Sequence, residues 1–169
     1  LAFSVVPLQK AAGQFNGWVS NADEPRKNGS VALTVSEAGR LTAKVQVGGK
    51  TVAFSKTGYD AETNGTVYVR LETAVTADGV PSLNVLALAV SMASGEGTGS
   101  LTVTGASQSV SGVTLFRDSW KEPALAELAA ACAGYYTVAL PVTSATEHAP
   151  QGSGYLTLTI AKTGGVKLS

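Results

Sequence analysis

Three oxygen-bearing side chains at alternate positions form a candidate metal site. Asp60, Glu62 and Asn64 are followed by Gly65, and this order is similar to the start of a calcium-binding loop, where oxygen ligands alternate before a sharply turning glycine. Such a loop needs a closing acid at its twelfth position, and Glu72 lies one residue too late. The stretch therefore has two interpretations, a calcium site and an acidic hairpin loop that turns at Asn64-Gly65.

Two aromatic residues are candidates for ligand binding. Trp18 precedes a polar loop at 20–28, and Tyr68 lies in an alternating stretch at 66–72. An aromatic face with a polar tip suits a glycan, so a carbohydrate-binding module is one interpretation. Burial in the core is the alternative for most of the aromatic residues.

The remaining residues give little support for nucleophilic catalysis or for a zinc site. His148 is the sole histidine and Cys132 the sole cysteine. A Ser-His-acid triad needs a histidine held by a third group, and structural zinc needs several His or Cys ligands. We therefore predict a protein that is not an enzyme and has no cofactor, apart from the calcium ion considered above.

The charge balance of the chain argues against several partner classes. The 169 residues include 12 Lys and Arg and 12 Asp and Glu, so the formal net charge is zero. Nucleic acid calls for a basic surface, and we predict no such partner. The sequence also has no run of 18 apolar residues, so we predict no membrane-spanning helix.

Alternating patterns predict antiparallel strands over most of the chain. In 31–35 every second residue is apolar, Gly48-Gly49 is a hairpin signal, and Gly-rich 94–99 is expected to be a turn. A helix is expected near 122–133, where Pro123 and an acidic first turn precede an alanine-rich stretch. The predicted fold is all-β, an antiparallel barrel with a sandwich as the alternative.

The beginning of this pattern recurs after the helix. Gly13-Gln14-Phe15, a polar loop and the strand 29–35 correspond to Gly134-Tyr135-Tyr136, a second loop and 154–160. We interpret this as an internal duplication. The predicted division is a first β repeat at 1–117, a connecting helix at 118–134 and the start of a second repeat at 135–169, all in one domain. The second repeat is expected to be incomplete, since the first continues for many more strands.

The same residues carry a resemblance to a known kind of module. Gly13-Gln14-Phe15-Asn16-Gly17, with Gly29 to Val35 and Gly48 to Phe54, resembles the Gly-x-aromatic-x-Gly β-barrel repeat modules of large exported or surface proteins of environmental bacteria. The second copy has Val138 in place of Gly17. The resemblance implies a secreted or cell-surface location and no particular activity.

These observations lead to a functional hypothesis with alternatives. The chain is expected to be a structural, adhesion or assembly module that is completed by β-strands from its parent chain, from a cleaved companion chain or from a second copy. The alternatives are a carbohydrate-binding module that uses Trp18 and Tyr68, and a non-catalytic part of a larger hydrolase. The expected partners are thus complementary strands, with a glycan as the alternative.

Overall fold

The computed structural model of the chain describes residues 12–77, 79–104, 109–119, 125–141 and 152–168. Within these ranges nearly every element is an antiparallel strand, which confirms the predicted fold class. The strands are β1 (Gly13–Ser20), β2 (Gly29–Val35), β3 (Arg40–Val47), β4 (Lys50–Thr57), β5 (Ala61–Thr63), β6 (Thr66–Ala77), β7 (Val80–Ser91), β8 (Glu96–Val103), β9 (Ser109–Arg117), β10 (Gly134–Leu140), β11 (Gly154–Ile160) and β12 (Val166–Leu168).

The chain divides into two compact units, Leu1–Asp118 and Ser119–Ser169. The second unit begins close to the predicted start of the connecting helix. That helix is present as α1, which covers Ala126–Ala131, whereas residues 120–124 lie outside the described ranges. The prediction that both parts belong to one domain stays a prediction.

The first unit holds a nine-stranded sheet in the order β4-β3-β2-β1-β9-β8-β7-β6-β5. Neighbours in this order also follow one another along the chain, except that β1 pairs with β9. This is the order of an up-and-down barrel that is opened between β4 and β6. The short β5 pairs only with the beginning of β6, from Thr66 to Tyr68.

Side chains that face the inside of this sheet form its core. Alternation places every second residue of each strand on that face, as the sequence predicts for Val31, Leu33 and Val35. The buried cluster consists of Phe15, Val19, Val31, Leu33, Val35, Leu41, Ala43, Val45, Phe54, Val67, Val69, Leu71, Leu86, Leu88, Val90, Leu101, Val113 and Leu115. Aliphatic and phenyl groups thus occupy the interior, as in small barrels whose side chains fill the lumen.

The glycine-rich stretch 94–99 differs from its prediction as a turn. The turn ends at Gly95, and β8 begins at Glu96. A Cβ on Gly99 would lie 2.0 Å from the carbonyl oxygen of Ala87 in β7. This glycine therefore permits a close approach of two strands, which is a second reason for glycine in sheets besides turning.

The second unit contains a three-stranded antiparallel meander in the order β10-β11-β12. Its register matches that of the β1-β2-β3 meander: Gly13 lies opposite Val35, and Gly134 lies opposite Ile160. The following turns also match, because Gly39 N–H donates to the Ser36 carbonyl and Gly164 N–H donates to the Ala161 carbonyl, both at 2.9 Å.

Candidate functional site

The gap between β4 and β6 is bridged by side chains. Lys56 Nζ donates to the Asp60 carboxylate and, at 3.2 Å, to the carbonyl oxygen of Arg70. The other Asp60 oxygen, Oδ2, accepts the Arg70 backbone N–H at 2.6 Å. Both main-chain polar groups of Arg70 are therefore satisfied by side chains. In the described part of the chain no backbone ladder joins β4 to β6, and a cavity of about 300 Å³ lined by Phe54, Glu72 and neighbouring residues lies there.

Electrostatics at this gap favour the ionised form of Asp60. Hydrogen bonds from Lys56 Nζ and then from the Arg70 backbone N–H lower the pKa of Asp60 below its ordinary value of 3.8, against a smaller opposing effect of burial. A carboxyl whose pKa falls on folding stabilises the folded state at any pH above its unfolded pKa. The contribution is lost as pH falls through 3.8 and then through the lower folded pKa.

Replacing Asp60 by Asn tests this bridge. At pH 7 we expect Asp60→Asn to lower the free energy of unfolding by less than about 1 kcal/mol, because the side chain is 46% exposed and solvent screens its ion pair. Urea unfolding of both proteins should show the difference at pH 7 and a smaller one at pH 3, because the contribution of Asp60 declines as pH falls below 3.8. Glu37→Gln, which neutralises an exposed carboxylate in the β2-β3 turn, is the matched control and should change little. An equal loss at both pH values would contradict an electrostatic role.

The other two predicted metal ligands lie in the β5-β6 hairpin. Glu62 Oε1 accepts the Gly65 N–H at 3.1 Å, and Asn64 and Gly65 have φ angles of 51° and 75°, so the predicted hairpin turn is confirmed. Among the described residues, no group of three or more His, Cys, Asp or Glu side chains is placed to hold a metal ion. The calcium site at Asp60, Glu62 and Asn64 stays a prediction. His148 lies outside the described residues.

Trp18 lies on the outer face of β1, as its alternation with Phe15 and Val19 requires. Its side chain is 50% exposed. The indole ring lies 5.3 Å from the ring of Phe116 in β9, measured between centroids, with 36° between the planes. Phe116 packs beside the indole, and half of Trp18 remains exposed to solvent. We did not predict Phe116 from the sequence, although the alternation of Val113 and Leu115 places it on the outside.

Tyr68 is on the same outer face and is 43% exposed. The pairing registers connect it to Trp18 across four strand boundaries, through Ala89, Thr98 and Thr114, each directly opposite the next. Residues directly opposite in antiparallel pairs point to the same face. The structure therefore brings both sequence-predicted aromatic residues onto one row of the sheet, which we call the ring row: Trp18, Thr114, Thr98, Ala89 and Tyr68.

One face of the β10-β12 meander is apolar, and its non-glycine residues are exposed on β10 and β12 and half-buried on β11. Cross-strand pairing assigns to it the alternate residues of all three strands. Several of its large side chains are exposed, Leu168 by 65%. We call this surface the meander face, and its non-glycine members are Tyr136, Val138, Leu140, Leu156, Leu158, Ile160, Val166 and Leu168.

Comparison with known proteins identifies no relative. No protein-family model, curated protein or solved structure matches this chain. No helix in the described ranges has the length and the apolar character needed to cross a membrane.

Proposed function

We propose that this protein is a non-enzymatic structural, adhesion or assembly module of a secreted or cell-surface bacterial protein, and that its meander face is covered by complementary β-strands. The observation that carries the proposal is the exposure of this face. Residues of the meander face are predominantly large and apolar, and exposed apolar patches of this kind mark interaction surfaces. Secretion and bacterial origin rest on the resemblance of the glycine-aromatic pattern alone.

The β1-β3 meander supports this proposal because it shows what the equivalent face contacts in the first unit. We propose that β10-β12 is a second copy of β1-β3, since the strand registers and the turn hydrogen bonds agree. Phe15 and Leu33 are buried in the first copy, and their counterparts are Tyr136 and Leu158. In the first copy this face lies against the core formed by β6 to β9. The meander face of the second copy therefore needs an antiparallel sheet to cover it in the same way.

Strand β10, at one edge of the second meander, limits which sheet can cover the meander face. In the first copy β1 pairs closely with β9, and a Cβ on Gly17 would lie 1.8 Å from the carbonyl oxygen of Thr114. The counterpart of Gly17 is Val138, whose side chain cannot fit such an approach. We infer that β10 does not replace β1 beside β9 of a second copy. The complementary strands come instead from the parent chain, from a companion chain, or from the meander of a second copy.

Sedimentation velocity and amide hydrogen exchange together test the proposal. If a second copy supplies the strands, the 169-residue protein should dimerise or form larger assemblies as its concentration rises. If another source supplies them, amides in 154–168 should exchange slowly in protein isolated from its natural source and quickly in the recombinant 169-residue chain. In either case Val166→Lys with Leu168→Lys should abolish the effect, because the two ammonium groups would have to be buried.

A control on the opposite face makes the test specific. Thr137→Lys places one lysine on the polar side of the meander, where Thr137 pairs with Thr157, and should leave association and protection unchanged. The proposal fails if the protein stays monomeric at high concentration and the amides of 154–168 exchange equally fast in both preparations. It also fails if Thr137→Lys has the same effect as the meander-face variants, because the effect would then be non-specific.

A further inference from the structure

We propose that Asn64 is a self-modifying residue, which loses its side-chain amide spontaneously and becomes aspartate or isoaspartate, whereas Asn16 and Asn28 keep theirs. An asparagine reacts in this way most readily before a glycine, because glycine has no side chain to hinder its own backbone nitrogen. The chain contains three such pairs, Asn16-Gly17, Asn28-Gly29 and Asn64-Gly65. All three lie in the first unit, so this modification is independent of the meander face.

The reaction uses only the two residues of the pair and water. The backbone nitrogen of Gly65 forms a bond to Cγ of Asn64, the bond from Cγ to Nδ2 breaks, and Nδ2 leaves as ammonia with the proton that the Gly65 nitrogen has lost. Water then opens the resulting cyclic imide. Opening at Cγ gives aspartate, and opening at the backbone carbonyl gives isoaspartate. Either product carries one new carboxylate, and nothing is oxidised or reduced.

The backbone of Gly17 is held in the sheet. All three asparagine side chains are exposed, so exposure does not distinguish them. In β1 the Gln14 carbonyl accepts the Asp118 N–H on the side away from β2. Backbone groups of successive residues point to alternate edges of a strand, so Gly17 faces β2, where it lies opposite Val31. Its nitrogen can attack the side chain of Asn16 only after these strands separate, which costs free energy.

The pair Asn28-Gly29 is held in two ways. Val19 also faces β2 by the same alternation, and it lies directly opposite Gly29, so the Gly29 N–H belongs to the β1-β2 ladder. The Asn28 side chain is fixed as well, because its Oδ1 accepts the Asn21 backbone N–H at 2.7 Å. Both the attacking nitrogen and the carboxamide of this pair are therefore held in place.

The pair Asn64-Gly65 lies in the β5-β6 turn, outside the backbone ladder. The Gly65 N–H donates to a side-chain oxygen, Glu62 Oε1, at 3.1 Å. This bond must break before the nitrogen can attack. The opening needed is small, because β5 pairs with β6 along three residues and all three residues of β5 are exposed. Local opening of such a short edge hairpin costs less than separation of β1 from β2.

Glu62 slows the reaction without preventing it. A carboxylate that accepts the Gly65 N–H opposes the loss of its proton, because a negative charge disfavours a second one nearby. The same hydrogen bond keeps the Gly65 nitrogen directed at Glu62 instead of at Cγ of Asn64. Glu62 is therefore a positioning residue that sets how fast Asn64 is modified.

Peptide mapping by mass spectrometry tests the proposal on the 169-residue protein during incubation at mildly alkaline pH. We expect Asn64 to lose its amide at least about tenfold faster than Asn16 and Asn28, because only the latter need separation of the β1-β2 ladder. Isoaspartate at residue 64, detected by enzymatic methylation, should accumulate in parallel. Asn64→Gln should remove the fast reaction and the isoaspartate signal together.

A pair of glutamate variants tests the role of Glu62. Glu62→Ala should raise the rate at Asn64 about threefold, the effect of losing one exposed hydrogen bond. Glu37→Ala removes an exposed carboxylate from the β2-β3 turn and should leave the rate unchanged. Far-ultraviolet circular dichroism checks that both variants are folded. A rate in Glu62→Ala that is equal to or below that of the wild-type protein would overturn the role of Glu62.

A denatured sample separates the effect of the fold from that of the sequence. In guanidinium chloride all three asparagines precede a flexible glycine, and we expect their rates to agree within about threefold. The proposal is overturned if Asn16 or Asn28 reacts as fast as Asn64 in the folded protein. It is equally overturned if the preference for Asn64 persists in full after denaturation, because the sheet would then have no part in the selection.

Discussion

Replacing Gly17 by Ala is expected to lower the free energy of unfolding by about 3 kcal/mol or more. The new Cβ would lie 1.8 Å from the carbonyl oxygen and 2.8 Å from the carbonyl carbon of Thr114. These atoms belong to the backbone of β9, so no rotation of a side chain can relieve the clash. Because the pairing of β1 with β9 joins the two halves of the sheet, their separation would weaken the whole unit. Urea unfolding followed by far-ultraviolet circular dichroism measures the loss.

A second glycine nearby serves as the matched control. Gly112 lies in β9 opposite Ser20 of β1, and its Cβ would meet Ser20 Oγ at 3.4 Å, which is an ordinary contact. Gly112→Ala should change the free energy of unfolding by no more than about 0.5 kcal/mol. If both variants unfold at the same urea concentration, the close approach of β1 and β9 at Gly17 is wrong.

Local patterns predicted the strands because burial on one face leaves a period of two in the sequence. The stretch 31–35 shows this period in full, and β2 is found there. Gly48-Gly49 predicts the β3-β4 hairpin because glycine tolerates positive φ angles. Both residues adopt such angles in the structure. These features depend only on neighbouring residues, and so they can be read without knowledge of the tertiary structure.

Features that depend on which strands are neighbours were not predictable in this way. Gly97 and Gly99 indicated a turn, whereas both belong to β8 and face close neighbours in β9 and β7. The bridge between Lys56, Asp60 and Arg70 depends on β4 and β6 coming together at the open side of the sheet. The alternation of Asp60, Glu62 and Asn64 predicts calcium ligands, and it gives no sign that Lys56 is a partner of Asp60.

The candidate binding residues also combine a feature that the sequence predicts with one that depends on the tertiary structure. Exposure of Trp18 was predictable from its alternation with buried Phe15 and Val19. Its placement on one row with Tyr68 depends on the order β1-β9-β8-β7-β6, which contains the long-range pairing of β1 with β9. Residues 18 and 68 have no relation in the sequence that would indicate a shared surface.

Phe15 and Tyr136 occupy equivalent positions in the two meanders, and we expect a large loss of stability when Phe15 is replaced by Ala and a small one when Tyr136 is. Phe15 is 1% exposed, and its removal leaves a cavity in the core, so Phe15→Ala should cost about 4 kcal/mol. Tyr136 is 41% exposed in the second meander, and Tyr136→Ala should cost no more than about 1 kcal/mol in the 169-residue chain. Hydrogen exchange with mass spectrometry reports on the two meanders separately.

The same pair of variants also tests what covers the meander face. Once complementary strands cover that face, Tyr136 becomes a core residue, and Tyr136→Ala should then weaken protection of 154–168 as strongly as Phe15→Ala weakens protection of 29–47. Tyr155→Ala, on the other side of β11, controls for the loss of an aromatic ring. Its effect on protection should stay small whether or not the meander face is covered. A large cost of Tyr136→Ala in dilute monomer would mean that the face is already covered, which would remove the basis for assembly through it.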